Sequence, residues 1–428
     1  MKITHRFRLF LASLLIFSMA SAQDAENVRM TLNALCAPEM HGRGYVNHGD
    51  SLAANYIADR FATENAQAFN GSYFQNFGFN INTFPEEMQM NIDGKDLVQG
   101  YHFLVDAASK SIKGTYELAW VDSATIFDKA QFKKFKKHLN RKVITFDVST
   151  FRSAESQKKL NELIRKNKFH AKAIIIVTYG KLTWDASQKQ MKYAQFVVKA
   201  EKINRDSKQI TFNVDAKFIK NYQTRNVISY IRGTDYPDKY IIISAHYDHL
   251  GRMGKYIYFP GANDNASGVA MMLDFVRMYR FHPPKYSIIF IAFAGEEAGL
   301  VGSKYYVEHP IVPLEKTRFV LNLDLMGTGK KGIAIVNGSI YQDEMSILIE
   351  KEHFGKYNLP MLQRGKAANS DHYWFSEKGV HSFFIYQMGD YTFYHDIFDA
   401  PDKLLLEGYT PTFYLLRDFL RELQDRHM

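Results

Sequence analysis

Among the 428 residues there is one cysteine, Cys36. A single thiol excludes an internal disulfide, and with no second cysteine it also excludes a thiolate metal site. Any metal this chain holds is therefore held by histidine and carboxylate. Cys36 itself reads as a small buried hydrophobe rather than a nucleophile. Long apolar runs are missing as well: beyond the first residues no segment approaches the roughly 20 residues needed to span a bilayer. There is no internal repeat, no low-complexity stretch and no recognisable nucleic-acid motif. Lys and Arg are spread widely, so nucleic acid is not an expected partner.

The chain begins with MKITHRFRLFLASLLIFSMASAQ. Lys2, Arg6 and Arg8 precede an apolar run from Leu9 to Phe17, followed by the small residues Ala20, Ser21 and Ala22. That order is the pattern of a secretory signal cut after Ala22. Residues 1–22 are therefore expected to be a signal peptide. The mature chain is then exported, periplasmic or extracellular, without an integral membrane segment. Its net charge falls from +9 to about +6. A hydrophobic fraction of 46% and the presence of 33 Phe and 26 Tyr argue for a packed core rather than disorder. The length exceeds what one core normally serves, which predicts a large domain and a smaller one. Nothing in the sequence sets the oligomeric state.

Two helical patterns occupy residues 27–79, the second with Leu52, Tyr56, Ile57 and Phe61 at helical spacing. From about Met90 to Arg205 strand-like runs (116–121, 142–148, 173–178) alternate with basic helices. One of these, AQFKKFKKHLNRK, places Phe132, Phe135 and Leu139 on one face and reads as a solvated amphipathic helix. Beyond residue 226 short apolar runs at 240–244, 286–293, 319–323 and 382–386 alternate with helical periodicity such as Val269, Met272, Leu273 and Val276. This predicts an α/β fold with a mixed, largely parallel central sheet covered by helices on both faces, plus a smaller inserted α+β domain. The expected partition is 23–89 and 206–428 for the main domain and 90–205 for the insert. Such sheets bind ligands beyond the carboxyl ends of their strands.

The residues just after each run carry the chemistry. IIISA leads into His246-Tyr247-Asp248-His249, where Asp248 is placed to orient the His246 imidazole. GANDNASGVA puts Asp264 just before a helix, as a cap or a ligand. FIAFAG runs into Glu296-Glu297, adjacent carboxylates that repel unless a cation holds them. One of such a pair can bind a metal while the other handles the proton of an attacking water. FVLNLDLMG carries Asp324, and His395 comes after the last run in YHDIFD. Each has an ordinary structural explanation alone; together they are candidates that a parallel sheet brings to one edge. Two histidines and several carboxylates without a thiolate suit zinc, leaving cobalt or manganese open. The set is too large for one catalytic zinc, which takes three protein ligands, so two ions sharing a bridging carboxylate is the economical arrangement.

In combination HYDHLG, GANDNASG, FAGEEAGLVGS, NLDLMG and YHDIFD, with APEMHGRG, TRNVISYIRG and SDHYWFSEKGV, resemble metallopeptidase family 28. These are di-zinc aminopeptidases, in one superfamily with glutamate carboxypeptidases and glutaminyl cyclases. The resemblance implies that His246 and Asp324 ligate one zinc, Glu297 and His395 the other, and that Asp264 bridges them. It makes Glu296 the general base toward a bridging water and Asp248 the support of His246. It implies a zinc exopeptidase, an aminopeptidase acting on peptide or protein N-termini, and a cis Asp264–Asn265 bond. Some members carry a tyrosine oxyanion donor three residues before Ser-Asp-His; here that residue is Ala367. The region 90–205 loosely resembles a protease-associated domain. The rival readings are a single-zinc glutaminyl cyclase and a non-catalytic peptidase-like binding protein, which would lack ligands or base.

Overall fold

The computed structural model describes residues 26–426 apart from 138, 140, 141 and 166. The expected signal segment 1–22 lies outside the described residues. Two eight-stranded mixed sheets organise the chain. In the first, four neighbouring strands run parallel in the order Tyr286–Phe293, Tyr236–His246, Thr317–Leu323, Ser382–Gln387. Antiparallel strands flank them: Lys217–Ile231 and then Phe74–Thr83 on one side, Ile333–Val336 on the other. The apolar runs read from the sequence at 240–244, 286–293, 319–323 and 382–386 fall within these four central strands.

Alternation of side chains across the pleat sorts the core into two layers. Ile241, Ile243 and Ala245 face the helices Gly49–Thr63, Ser267–Phe281, Gln342–Glu352 and Tyr409–Asp425. Ile242, Ile289 and Ile291 face the opposite side, against Tyr306 and Phe375 of Val301–Glu308 and His372–Glu377. Both faces being covered is why these strands are apolar throughout rather than alternating. In helix Gly49–Thr63 the buried stripe is Ala53, Ala54, Ile57, Ala58 and Phe61, while Leu52, expected on that stripe, is 42% exposed. Small alanines let the helix lie close to the sheet, and the larger Leu52 is turned outward.

The second sheet is built from residues 88–214, with the parallel strands Ile112–Val121, Lys142–Asp147, Ala173–Thr178 and Ala194–Lys199 side by side. Its apolar core is shared with the first unit through Leu250, Met253 and Phe259. Phe132 and Phe135 of the basic helix pack on Phe169, ring centroids 5.3 and 6.2 Å away, so the helix's apolar face is turned inward. Among the described residues no helix is long and apolar enough to cross a membrane. Cys36 is buried and its thiol is pushed up to about 12 by burial.

Candidate metal centre

Strand ends carry four of the six candidate residues. His246 is the last residue of Tyr236–His246, Asp324 comes directly after Thr317–Leu323, and the Glu296-Glu297 pair lies three residues beyond Tyr286–Phe293. His246 Nε2 lies 3.3 Å from Asp264 Oδ1 and 3.4 Å from Asp324 Oδ1. His395 Nε2 lies 3.2 Å from Asp264 Oδ2 and 3.0 Å from Glu297 Oε2. The two oxygens of Asp264 thus face two different imidazoles. Side-chain atoms of His246, Glu296 and Asp324 lie within 4.8 Å of one another, as do those of His246, Asp264 and Glu297.

Asp264 does not succeed a strand of the sheet; it comes from the loop after the two-residue strand Ile257–Tyr258. Nor does it cap the next helix, Ser267–Phe281, whose first-turn Gly268 amide is taken by the Asn265 side chain instead. Its neighbours fix the loop instead. Asn265 donates to the Leu323 carbonyl (3.0 Å) and accepts from the Gly268 amide (2.9 Å), and Asn263 accepts from the Gly327 amide (2.9 Å). A Cβ on Gly268 would stand 2.5 Å from the Leu323 carbonyl oxygen, so only glycine admits this approach. The Asp264–Asn265 bond is cis.

Two further buried carboxylates hold the ligand-bearing turns by their backbone. Asp248 accepts from the amides of Glu296 (3.2 Å) and Glu297 (3.3 Å) and from the Tyr45 hydroxyl (2.7 Å). Its carboxylate is 3.9 Å from His246 Nδ1, whereas its backbone carbonyl is 3.1 Å from that nitrogen. Asp399 accepts from the amides of Asn263 (2.8 Å) and Asp264 (3.0 Å). Ser370 donates to Asp324 Oδ2 at 3.0 Å and is itself held by Asn322 at 2.8 Å. This leaves Asp324 Oδ1 buried without a hydrogen-bond partner.

The titration of the two glutamates is split. Burial pushes Glu296 well above the usual carboxylate range, with His246 opposing and Glu297, Asp371 and Asp324 adding to the shift. Burial works against ionised Glu297 too, yet His395 and the bonds from the imidazoles bring it down to about 2. For His246 burial disfavours the charge, but the surrounding Asp324, Glu296 and Asp264 carboxylates outweigh it and raise the imidazole well above its ordinary value. A site in which crowded buried carboxylates raise both the His246 and His395 imidazoles above their ordinary value is one that divalent cations can neutralise instead. The orphaned Asp324 Oδ1 and the oxygen-and-imidazole donor set fit zinc.

Several contributors were not singled out in the sequence. Arg43, fully buried in APEMHGRG, donates to the carbonyls of Tyr247 (2.7 Å), Leu35 (3.1 Å), Pro260 (2.5 Å), Gly261 (2.8 Å) and Asp264 (3.1 Å). It ties the turn after His246 to the Asp264 loop through the backbone alone. His249 sits 2.7 Å from Glu297 Oε1. Tyr394 stacks on His395 (3.9 Å, 15°), its hydroxyl pushed far up by burial and by Asp264, Glu297, Asp324 and Glu296. A tyrosine directly before a candidate ligand was the available signal for it.

Residues 226–419 match Peptidase family M28. The aminopeptidase YwaD of Bacillus subtilis (strain 168) is 32% identical over 174 residues, 39% of this chain and 36% of that protein. A probable zinc metalloprotease of Pyrenophora teres f. teres is 36% identical over 108 residues, 24% of this chain and 23% of that protein. The matched segments thus span about a third or less of these curated relatives. A zinc aminopeptidase structure from Bacillus subtilis shares the fold, with a TM-score of 0.70 at 20% identity over 93% of this chain and 94% of that one. The similarity to Peptidase family M28 thus lies in residues 226–419, a little under half of the chain.

Proposed function

We propose that this chain is an exported, zinc-dependent aminopeptidase holding two zinc ions and cleaving peptide or protein N-termini. The observation that carries the reading is the divided Asp264 carboxylate, one oxygen toward His246 and the other toward His395. That division suits one carboxylate shared by two cations. His246 and Asp324 are then the further ligands of one zinc, and Glu297 and His395 those of the other. Zinc in this site would polarise the scissile carbonyl and acidify the attacking water.

The rest is done by the chain's own side chains. Glu296, whose burial favours taking a proton, removes it from the attacking water and returns it to the leaving amine. Glu297, held ionised, ligates. Ala367 has no hydroxyl to offer, and in this reading the Tyr394 hydroxyl donates to the carbonyl oxygen as negative charge develops there. Asp248 holds the Glu296-Glu297 turn by its amides and presents its carbonyl to His246. Residues 23–87 and 215–428 are assigned to the peptidase domain and 88–214, which carry the whole second sheet, to the insert, somewhat wider than the 90–205 expected from the sequence.

The test is metal analysis of native protein, combined with a panel of peptides carrying free or blocked N-termini. Two zinc ions per chain and cleavage confined to free N-termini are expected. Protein without zinc contradicts the reading. Ammonia release without cleavage from a Gln-initiated peptide would replace it with the cyclase, and absence of any turnover with the binding protein.

A further inference from the structure

We propose that segment 181–188, the connection between strands Ala173–Thr178 and Ala194–Lys199 of the second sheet, is a strap that positions His395 as a metal ligand, with Lys181 and Asp185 as its positioning residues. The proposal rests on the zinc-site reading and adds that the metal centre is completed by a part of the chain lying outside the M28 match.

The contacts run along the whole strap. His395 Nδ1 is 2.8 Å from the Trp184 carbonyl oxygen and 3.2 Å from Asp185 Oδ1. Both partners only accept, so Nδ1 carries the hydrogen, and on a neutral ring Nε2 presents its lone pair toward Asp264 and Glu297. The Trp184 amide returns a bond to the His395 carbonyl at 3.2 Å. The Lys181 ammonium donates to the carbonyls of Thr392 (2.6 Å) and Tyr394 (2.5 Å), the residues leading into His395. Gln188 donates to the Ala298 carbonyl at 2.7 Å, in the turn just after Glu297.

The strap has a fixed anchor. The Trp184 indole donates to the Val105 carbonyl (2.6 Å) and stacks on Phe259 (4.8 Å, 24°), inside the core shared by the two units. His395 needs such a hold. It lies eight residues beyond its strand and has φ +55, in the sparsely populated left-handed region, so no strand ladder fixes it. A second loop of the insert braces the same segment: a Cβ on Gly100 would come within 3.2 Å of Ile397 and Ile257, and Tyr101 meets Phe398 edge to face at 5.4 Å.

Asp185 is 75% exposed, so its replacement spares the core. Zinc affinity is read by competition with a chelator in full-length protein for wild type, Asp185→Ala, Lys181→Met, Lys181→Arg and, as a control away from the strap, Asp206→Asn. Removing a partner that orients a metal-bound imidazole typically costs about 10–100-fold in affinity. Asp185→Ala and Lys181→Met should each weaken one of the two zinc ions by about 10-fold, leave the other unchanged, and regain wild-type kcat once zinc is saturating. Lys181→Arg, still able to donate to two carbonyls, should restore affinity, and Asp206→Asn should not alter it. Wild-type affinity for both ions in Asp185→Ala and Lys181→Met overturns the strap while leaving the zinc reading in place. A wild-type protein that binds no zinc overturns both.

Discussion

The two halves of the centre are held in different ways. His246 and Asp324 stand at the ends of adjacent, hydrogen-bonded parallel strands, and the support of Asp324 is a short chain of Ser370 and Asn322 within the same sheet unit. Glu297 and His395 are carried on turns and a loop, and His395 reaches its place only with partners more than two hundred residues away in sequence. Strand ends are fixed by a ladder that the whole core stabilises, whereas a loop takes its position from whatever side chains and carbonyls meet it. In the zinc reading proposed above, one half would be rigid and the other would depend on the second sheet.

The comparison can be broken or sharpened by substitution. The largest effect is expected for Glu296→Gln, which removes the proton acceptor but no ligand. Turnover should fall by about 10²–10⁴-fold with zinc content unchanged in both halves. Near-normal kinetics would remove Glu296 from its role, and lost zinc would make it a ligand. Next, Arg43→Met strikes what the halves share, because it leaves buried carbonyls on both the His246 turn and the Asp264 loop without their donor. A loss of several kcal/mol in denaturant unfolding is expected, since each buried carbonyl left without its donor costs about 1–3 kcal/mol.

Tyr394→Phe tests chemistry on the loop side. It keeps the ring on His395 and removes only the hydroxyl, so kcat should drop by about 10²-fold while zinc affinity holds. An unchanged kcat would leave the oxyanion to another donor. The smallest effect belongs to Ser370→Ala, which frees Asp324 Oδ2 in the rigid half. Chelator competition should show one zinc weakened by about 10-fold. Combined with Asp185→Ala, it should weaken both ions, one through each half; if both substitutions weaken the same ion, the division into halves is wrong.

Legibility in the sequence divides along the same line. Apolar runs buried on both faces marked the four central strands, and His246, Glu296, Glu297 and Asp324 stood out because they come within a few residues of the ends of those runs. Asp264 was ambiguous between cap and ligand, since either use places a carboxylate before a helix; the packing of Asn263 and Asn265 against 323–327 decides how the loop sits. Arg43 was not legible because its partners are backbone carbonyls, which leave no complementary charge in the sequence. Trp184, Asp185 and Lys181 were hidden because no periodicity links 181–188 to a loop at 391–398. Leu52 shows the same limit in the core: helical spacing names a stripe but does not say which edge of it meets the sheet.

The central claim, one carboxylate shared by two zinc ions, is tested most directly by anomalous diffraction recorded on both sides of the zinc edge from crystals of native protein. Two zinc peaks are expected, one beside His246 and Asp324 and one beside Glu297 and His395, each in contact with a different oxygen of Asp264. A single peak, or peaks that leave Asp264 unshared, would contradict it.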